Sequence, residues 1–142
     1  MKLQDSRNSK MQETEKVSIT KCGSYNSEEV YTSVKQALEK LNFTLKENQT
    51  VLLKPNILSS ITPDKAVTTH PSIVNAICRL LKEKNCTILI GESSGFTGTT
   101  TKAFEVSGIK QIADNYNAKL INFDSSPLRK IKLHEGTVLK EL

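Results

Sequence analysis

Tryptophan is missing from this chain, and only three tyrosines and four phenylalanines stand among its 142 residues. So thin an aromatic content leaves little on which to stack nucleobases. The net charge of +5 and the pI near 9.1 are therefore not taken as a nucleic-acid footprint, particularly as the lysines are spread among glutamates and no nucleic-acid motif is present. The positive excess suits an anionic small ligand or an acidic protein partner equally well. Long apolar runs are missing too. Val51-Leu52-Leu53 and Ile88-Leu89-Ile90 are among the longest and the mean hydropathy is −0.36, whereas a membrane-crossing helix needs about 20 apolar residues. No membrane partner is expected, and a cytoplasmic location is the default.

Cysteine is scarce as well. Cys22, Cys78 and Cys86 are odd in number and have no C-x-x-C spacing, so neither a disulfide framework nor a metal knuckle is written here. Cys78 and Cys86 fall at core positions, and Cys22 at a strand exit is expected to be a small half-buried residue. In a reducing compartment the N-x-T triplets at Asn42, Asn48 and Asn85 carry no glycosylation meaning.

With 37% hydrophobic residues the chain can bury one core. Residues 1–15 are polar, mixed in charge and without the apolar centre of a secretory signal, so a disordered leader is expected there and one α/β domain over 16–142. Lys16 to Cys22 alternates in the manner of a strand, and Gly23 stops it. Ser27-Glu28-Glu29 reads as a helix N-cap followed by acids in the first turn, with Val30, Tyr31, Val34, Leu38 and Leu41 forming an apolar stripe. Thr50 to Lys54 is a second strand whose unbroken Val-Leu-Leu centre suits burial on both faces. A long loop follows from Pro55 to Thr69, and loops of that length inside compact domains tend to be functional. Thr69 or His70 then caps a helix that has Pro71 at its first position. Cys86 to Ile90 is a third strand, closed by Gly91. Short helices are expected over Thr101–Val106 and Ile109–Asn117, a fourth strand over Lys119–Phe123 and a weaker one over Arg129–Leu133.

Strands and helices in alternation predict an α/β fold of three layers: a mostly parallel sheet with right-handed βαβ crossovers. Ligands of such sheets sit outside the carboxyl ends of the strands. Cys22 and Gly23, Lys54-Pro55-Asn56, Gly91 to Gly98 and Asp124 all follow expected strands and so belong to one rim.

Lys54 and Asn56 offer a cation and an amide, apt for a carboxylate or phosphate, although a strand-end lysine and a turn asparagine would look the same. Thr69 and His70 present a helix amino end, which favours anions. Gly91, Glu92, Ser93, Ser94 and Gly95 form a glycine-rich turn whose N–H groups can make an anion nest. G-x-G-x-x-G and G-x-x-x-x-G-K-[ST] are both absent, so neither a dinucleotide fold nor a P-loop is supported. Gly91 to Gly95 also fits G-x-S-x-G, with Asp124 and His134 in hydrolase order, but the loop runs on through Phe96, Thr97 and Gly98 where a nucleophile elbow turns straight into its helix. A metal shared by Glu92 and Asp124, or their action as acid and base, is the weaker alternative to two independent carboxylates, so no metal ligand and no catalytic residue is assigned.

Val51 to Asn56 (VLLKPN), the run from Pro63 to Pro71, the Gly-Glu-Ser-Ser-Gly turn and Lys21 to Tyr31 (KCGSYNSEEVY) together resemble the amino-terminal half of the family called domain of unknown function 362. The resemblance covers roughly Lys16 to Asp124. It implies an iron–sulfur redox or electron-transfer setting, since members often carry a ferredoxin-like segment holding two four-iron four-sulfur clusters. This chain stops at Leu142, before the later half of the family, and has no cluster-binding cysteine run. Part of a larger domain is expected, with any four-iron four-sulfur cluster in another segment or a partner. The leading expectation is binding of an anionic small molecule or metal complex at the strand ends. The alternative is a docking module for a ferredoxin-like domain, and a serine hydrolase is a distant third.

Overall fold

The structure is a computed structural model that describes residues 15–96, 99–125 and 127. Its elements follow in the order α1 (Ser27–Lys40), β1 (Thr50–Leu53), a 3₁₀ turn (Pro63–Lys65), α2 (Pro71–Glu83), β2 (Thr87–Glu92), α3 (Thr100–Val106), α4 (Ile109–Asn115), β3 (Lys119–Asn122) and a second 3₁₀ turn (Phe123–Ser125). The strands lie in the order β1-β2-β3, and both pairs are parallel, with Leu52 opposite Leu89 and Ile90 opposite Leu120. The α/β class and the parallel sheet are those expected from the alternation of elements.

Period-two alternation on β2 turns Ile88 and Ile90 to one face, where they are 2% and 0% exposed against Val74, Cys78 and Leu81 of α2 and Ile109 of α4. Burying each such side chain is worth about 1.5–3 kcal/mol. Helices α2 and α4 touch each other over this face, and α1 packs on α2. Tyr31 of α1 lies under the Arg79 guanidinium at 3.9 Å and donates its hydroxyl to Glu83 at 2.7 Å, while Arg79 reaches Glu28 at 2.7 Å. The opposite face is more open. Leu52 is 49% exposed there, and Phe123 folds back so closely over Gly91 that a Cβ on that glycine would stand 2.5 Å from its ring. Among the described residues the helices supply one covering layer.

Four local expectations need correction. Lys16 to Cys22 joins no ladder: Thr20 Oγ1 donates to Ser33 O and Ser33 Oγ to Lys21 O, so this segment lies along α1 with its small polar row inward. Its apolar row, Val17 and Ile19, is more than 80% exposed and finds no core to enter. Helix α1 is capped by Asn26, whose Oδ1 accepts from Glu28 N and Glu29 N, which leaves Ser27 as the first helical residue. Strand β2 runs through Gly91 to Glu92, because Gly91 and Glu92 pair with Ile121 and Asn122. Cys22 is exposed, not half-buried, whereas Cys78 and Cys86 are buried as expected. The leader up to residue 14, the strand proposed at Arg129–Leu133, His134, Thr97 and Gly98 lie outside the described residues.

Candidate functional site

The parallel register brings three strand exits side by side. Lys54 follows β1, Glu92 ends β2, and Asp124 lies just past β3. Lys54 Nζ meets Glu92 Oε2 at 2.9 Å, with the lysine side chain 56% exposed and the carboxylate 4%. Glu92 Oε1 accepts from Ser93 N at 2.8 Å, so both oxygens of this buried carboxylate are used. Ser93 Oγ donates to Asp124 Oδ1 at 2.7 Å, which carries the chain of contacts on to β3. Asp124 N is held in turn by Asn122 Oδ1 at 2.9 Å. The rim is one hydrogen-bonded network from β1 to β3.

Beneath it lies Thr100, 0% exposed at the start of α3. Its Oγ1 accepts from Ser94 N at 2.8 Å and donates to Asp124 Oδ2. Gly95 N donates to Leu58 O at 2.8 Å. The N–H groups of Ser93, Ser94 and Gly95 therefore point at three internal acceptors and do not converge as an anion nest. Sequence reasoning missed Thr100. Its only sign was the Thr99-Thr100-Thr101 run at a helix start, which does not say which threonine turns inward.

The loop between β1 and α2 is tied at its neck. Asn56 N donates to Thr69 Oγ1 at 3.1 Å, Thr69 N to Asn56 O at 2.8 Å, and Ile57 and Thr68 form an antiparallel bridge. Thr69 is thus a loop clamp. The cap of α2 is His70, whose Nδ1 accepts from Ser72 N at 3.2 Å and lies 2.8 Å from Ser72 Oγ. Its ring stacks on Tyr25 with centroids 3.7 Å apart, and burial holds its pKa below the ordinary imidazole value. Pro71 has no N–H, and Ile73 N bonds His70 O, so the first donors of α2 are occupied. Ser59 and Thr68 bury hydroxyls that have no partner among the described residues. Ala66 sits in the left-handed region at φ 54°, a conformation usually left to glycine or asparagine.

Two hollows open at these exits. A cleft of about 340 Å³ is lined by Lys54, Asn56, Leu58, Val67, Glu92 and Ser93, with Gly95 at its edge. A second, of about 200 Å³, shares Lys54 and Asn56 and adds Thr69 and Ile73. The Asn56 side-chain amide makes no hydrogen bond among the described residues, and the Lys54 ammonium uses one of its three donors. Lys54, Asn56, Glu92, Ser93 and Gly95 are therefore brought together, Thr69 borders them, and Ser94 and Gly91 line neither hollow. His70 lines neither hollow. A larger hollow of about 410 Å³ lies between the carboxyl ends of α1 and α2, away from every strand exit. The strand-end cleft is the candidate site because ligands of parallel sheets meet the strand carboxyl ends.

Ser93 bonds the Asp124 carboxylate directly, and His134, the base of the hydrolase order, lies outside the described residues. No group of three or more histidine, cysteine, aspartate or glutamate side chains among the described residues is placed to hold a metal ion. None of the described helices is long and apolar enough to cross a membrane.

The sequence matches the family described as Domain of unknown function (DUF362) over residues 51–142, which takes in all three strands and both walls of the cleft. It is 29% identical over 111 residues to the thylakoid-associated protein sll1697 of Synechocystis sp., a match that covers 75% of this chain and 34% of that protein. This chain thus spans about a third of the length of the curated relative it matches. No solved structure matches it. With β1, β2, β3 and the cleft between their exits all inside the matched region, the chain belongs to the DUF362 family.

Proposed function

We propose that the strand-end cleft binds a small anionic molecule through Lys54 and Asn56. One observation carries this reading: a lysine ammonium, anchored on a buried carboxylate yet 56% exposed, stands beside an asparagine amide that has no partner within the described fold. Glu92 fixes where the ammonium stands, and the remaining donors of Lys54 face the cleft together with Asn56. A carboxylate or a monoanionic metal complex can take both. Four-iron four-sulfur chemistry of the kind the family resemblance implies would be held by another segment or a partner, because the three cysteines of this chain lie at an exposed loop and two core positions.

The test is thermal stabilisation of the full chain by a panel of small carboxylates. Asn56→Ala and Lys54→Ala should each reduce the shift that the binding acids produce, and an unchanged shift in Lys54→Ala rejects the assignment. A second reading is supported by the half-exposed Leu52 on the open face of the sheet: docking of a ferredoxin-like partner there. Leu52→Asp should then disrupt co-purification with such a partner while leaving the shift with small acids intact.

A further inference from the structure

The cleft has an apolar wall as well as a charged one. Leu58 and Val67 line it while 51% and 38% exposed, and Ile61 and Phe96, 39% and 61% exposed, stand on the same two loops. Exposed leucine, isoleucine and phenylalanine gathered at a cleft are a stronger signal than the same residues scattered singly. The loops that carry them are pinned together by Gly95 N on Leu58 O, and a Cβ on Gly95 would stand 3.0 Å from that oxygen, so the apolar wall is held against the rim.

The charged wall holds an ion pair, Lys54 against Glu92. A ligand carrying two negative charges would meet the Glu92 carboxylate as well, whereas one negative charge can take the remaining donors of Lys54 and the Asn56 amide at less cost. We infer that the cleft takes an amphiphilic monocarboxylate, its carboxylate on Lys54 and Asn56 and its hydrocarbon part along Leu58 and Val67. A cleft of about 340 Å³ suits a small acid of this kind. The inference rests on the anion-binding reading above and adds the class of molecule.

The experiment is a calorimetric titration of the full chain with acetate, butanoate, hexanoate and octanoate, with 1-hexanol and hexyl phosphate as charge controls. Affinity should rise about two- to fourfold per added methylene, as apolar surface leaves water. Leu58→Ser and Val67→Ser, both at exposed positions, should flatten the series, and Phe43→Ser, in the hollow between α1 and α2, should not. Lys54→Ala should weaken every acid about five- to tenfold without changing the slope. Measurable binding with a flat series overturns the apolar wall and leaves the anion site standing. Hexanol binding as well as hexanoate, or Lys54→Ala without effect, overturns the anion site itself. Tighter binding of hexyl phosphate overturns the preference for one charge. A slope lost in Phe43→Ser and kept in Leu58→Ser places the hydrocarbon elsewhere, and no binding by any acid overturns both readings.

Discussion

The exits of β1 and β2 are neighbours in the sheet and are built in opposite ways. At the β2 exit Glu92, Ser94 and Thr100 are 3%, 6% and 0% exposed; Glu92 accepts from Ser93 N, and Ser94 N donates to Thr100 Oγ1. At the β1 exit Lys54 and Asn56 are exposed, and among the described residues one has donors to spare and the other a side-chain amide without a hydrogen bond. On the proposed reading the pair divides the labour of a binding site: one exit is scaffold, whose polar groups are satisfied inside the protein, and the other leaves its polar groups for a ligand. Substitutions at the β2 exit should therefore cost stability, and those at the β1 exit should cost binding and little else.

The sharpest way to break this contrast is Thr100→Val, which keeps the shape and removes the hydroxyl. Ser94 N then loses its acceptor and Asp124 a donor, and chemical denaturation should show a loss of about 2 kcal/mol. A loss below about 0.5 kcal/mol would mean that water replaces the hydroxyl and that the β2 exit is not a sealed scaffold. Gly91→Ala tests the same side from the other face of the sheet. Its Cβ displaces the Phe123 ring that leads into Asp124, at a cost of about 1 kcal/mol.

His70 belongs to neither exit. Its Nδ1 must be unprotonated to accept from Ser72 N, and burial lowers its folded pKa below the unfolded value. The neutral ring is thus favoured by folding. Its contribution is fully present above the unfolded value of about 6.5, and it is lost as pH falls through that value towards the lower folded one. Removing the cap with His70→Ala should cost about 1 kcal/mol at pH 8. His70→Asn, which caps without titrating, should erase the histidine part of the acid-side slope in melting temperature. An unchanged slope would assign it to other groups.

On the β1 side the expected effects on stability are smaller. Asn56→Ala should shift unfolding by less than about 0.5 kcal/mol, because its side chain has no hydrogen-bond partner among the described residues. The same variant should lose acid-induced stabilisation, and a stability loss comparable to that of Thr100→Val would erase the contrast between the exits. Ala66→Gly, which relieves a left-handed alanine in the loop above the cleft, should stabilise by a few tenths of a kcal/mol.

Much of this was legible in the residues, for local reasons. Pro71 after a histidine, the Val-Leu-Leu and Ile-Leu-Ile strand centres and the glycine after α3 each specify their own conformation, so α2, β1, β2 and the break between α3 and α4 fall within a residue or two of expectation. The strand proposed at Lys16–Cys22 failed for a nonlocal reason. Its alternation is genuine, but a ladder also needs a partner edge, and the segment found the side of α1 instead.

The same division holds at the site. Lys54, Asn56, Glu92 and Ser93 could be named from the sequence because residues that follow strands of a parallel sheet share one rim. Their roles could not. That Glu92 is the partner of Lys54, that Thr100 takes the amide offered by Ser94, and that His70 closes a helix end away from the cleft all depend on which strand lies beside which and on which rotamers the packing allows. Periodicity and turn chemistry act over a few residues and are written in the chain itself. Pairing a cation with a carboxylate 38 positions away is a property of the assembled sheet, and only the tertiary structure decided it.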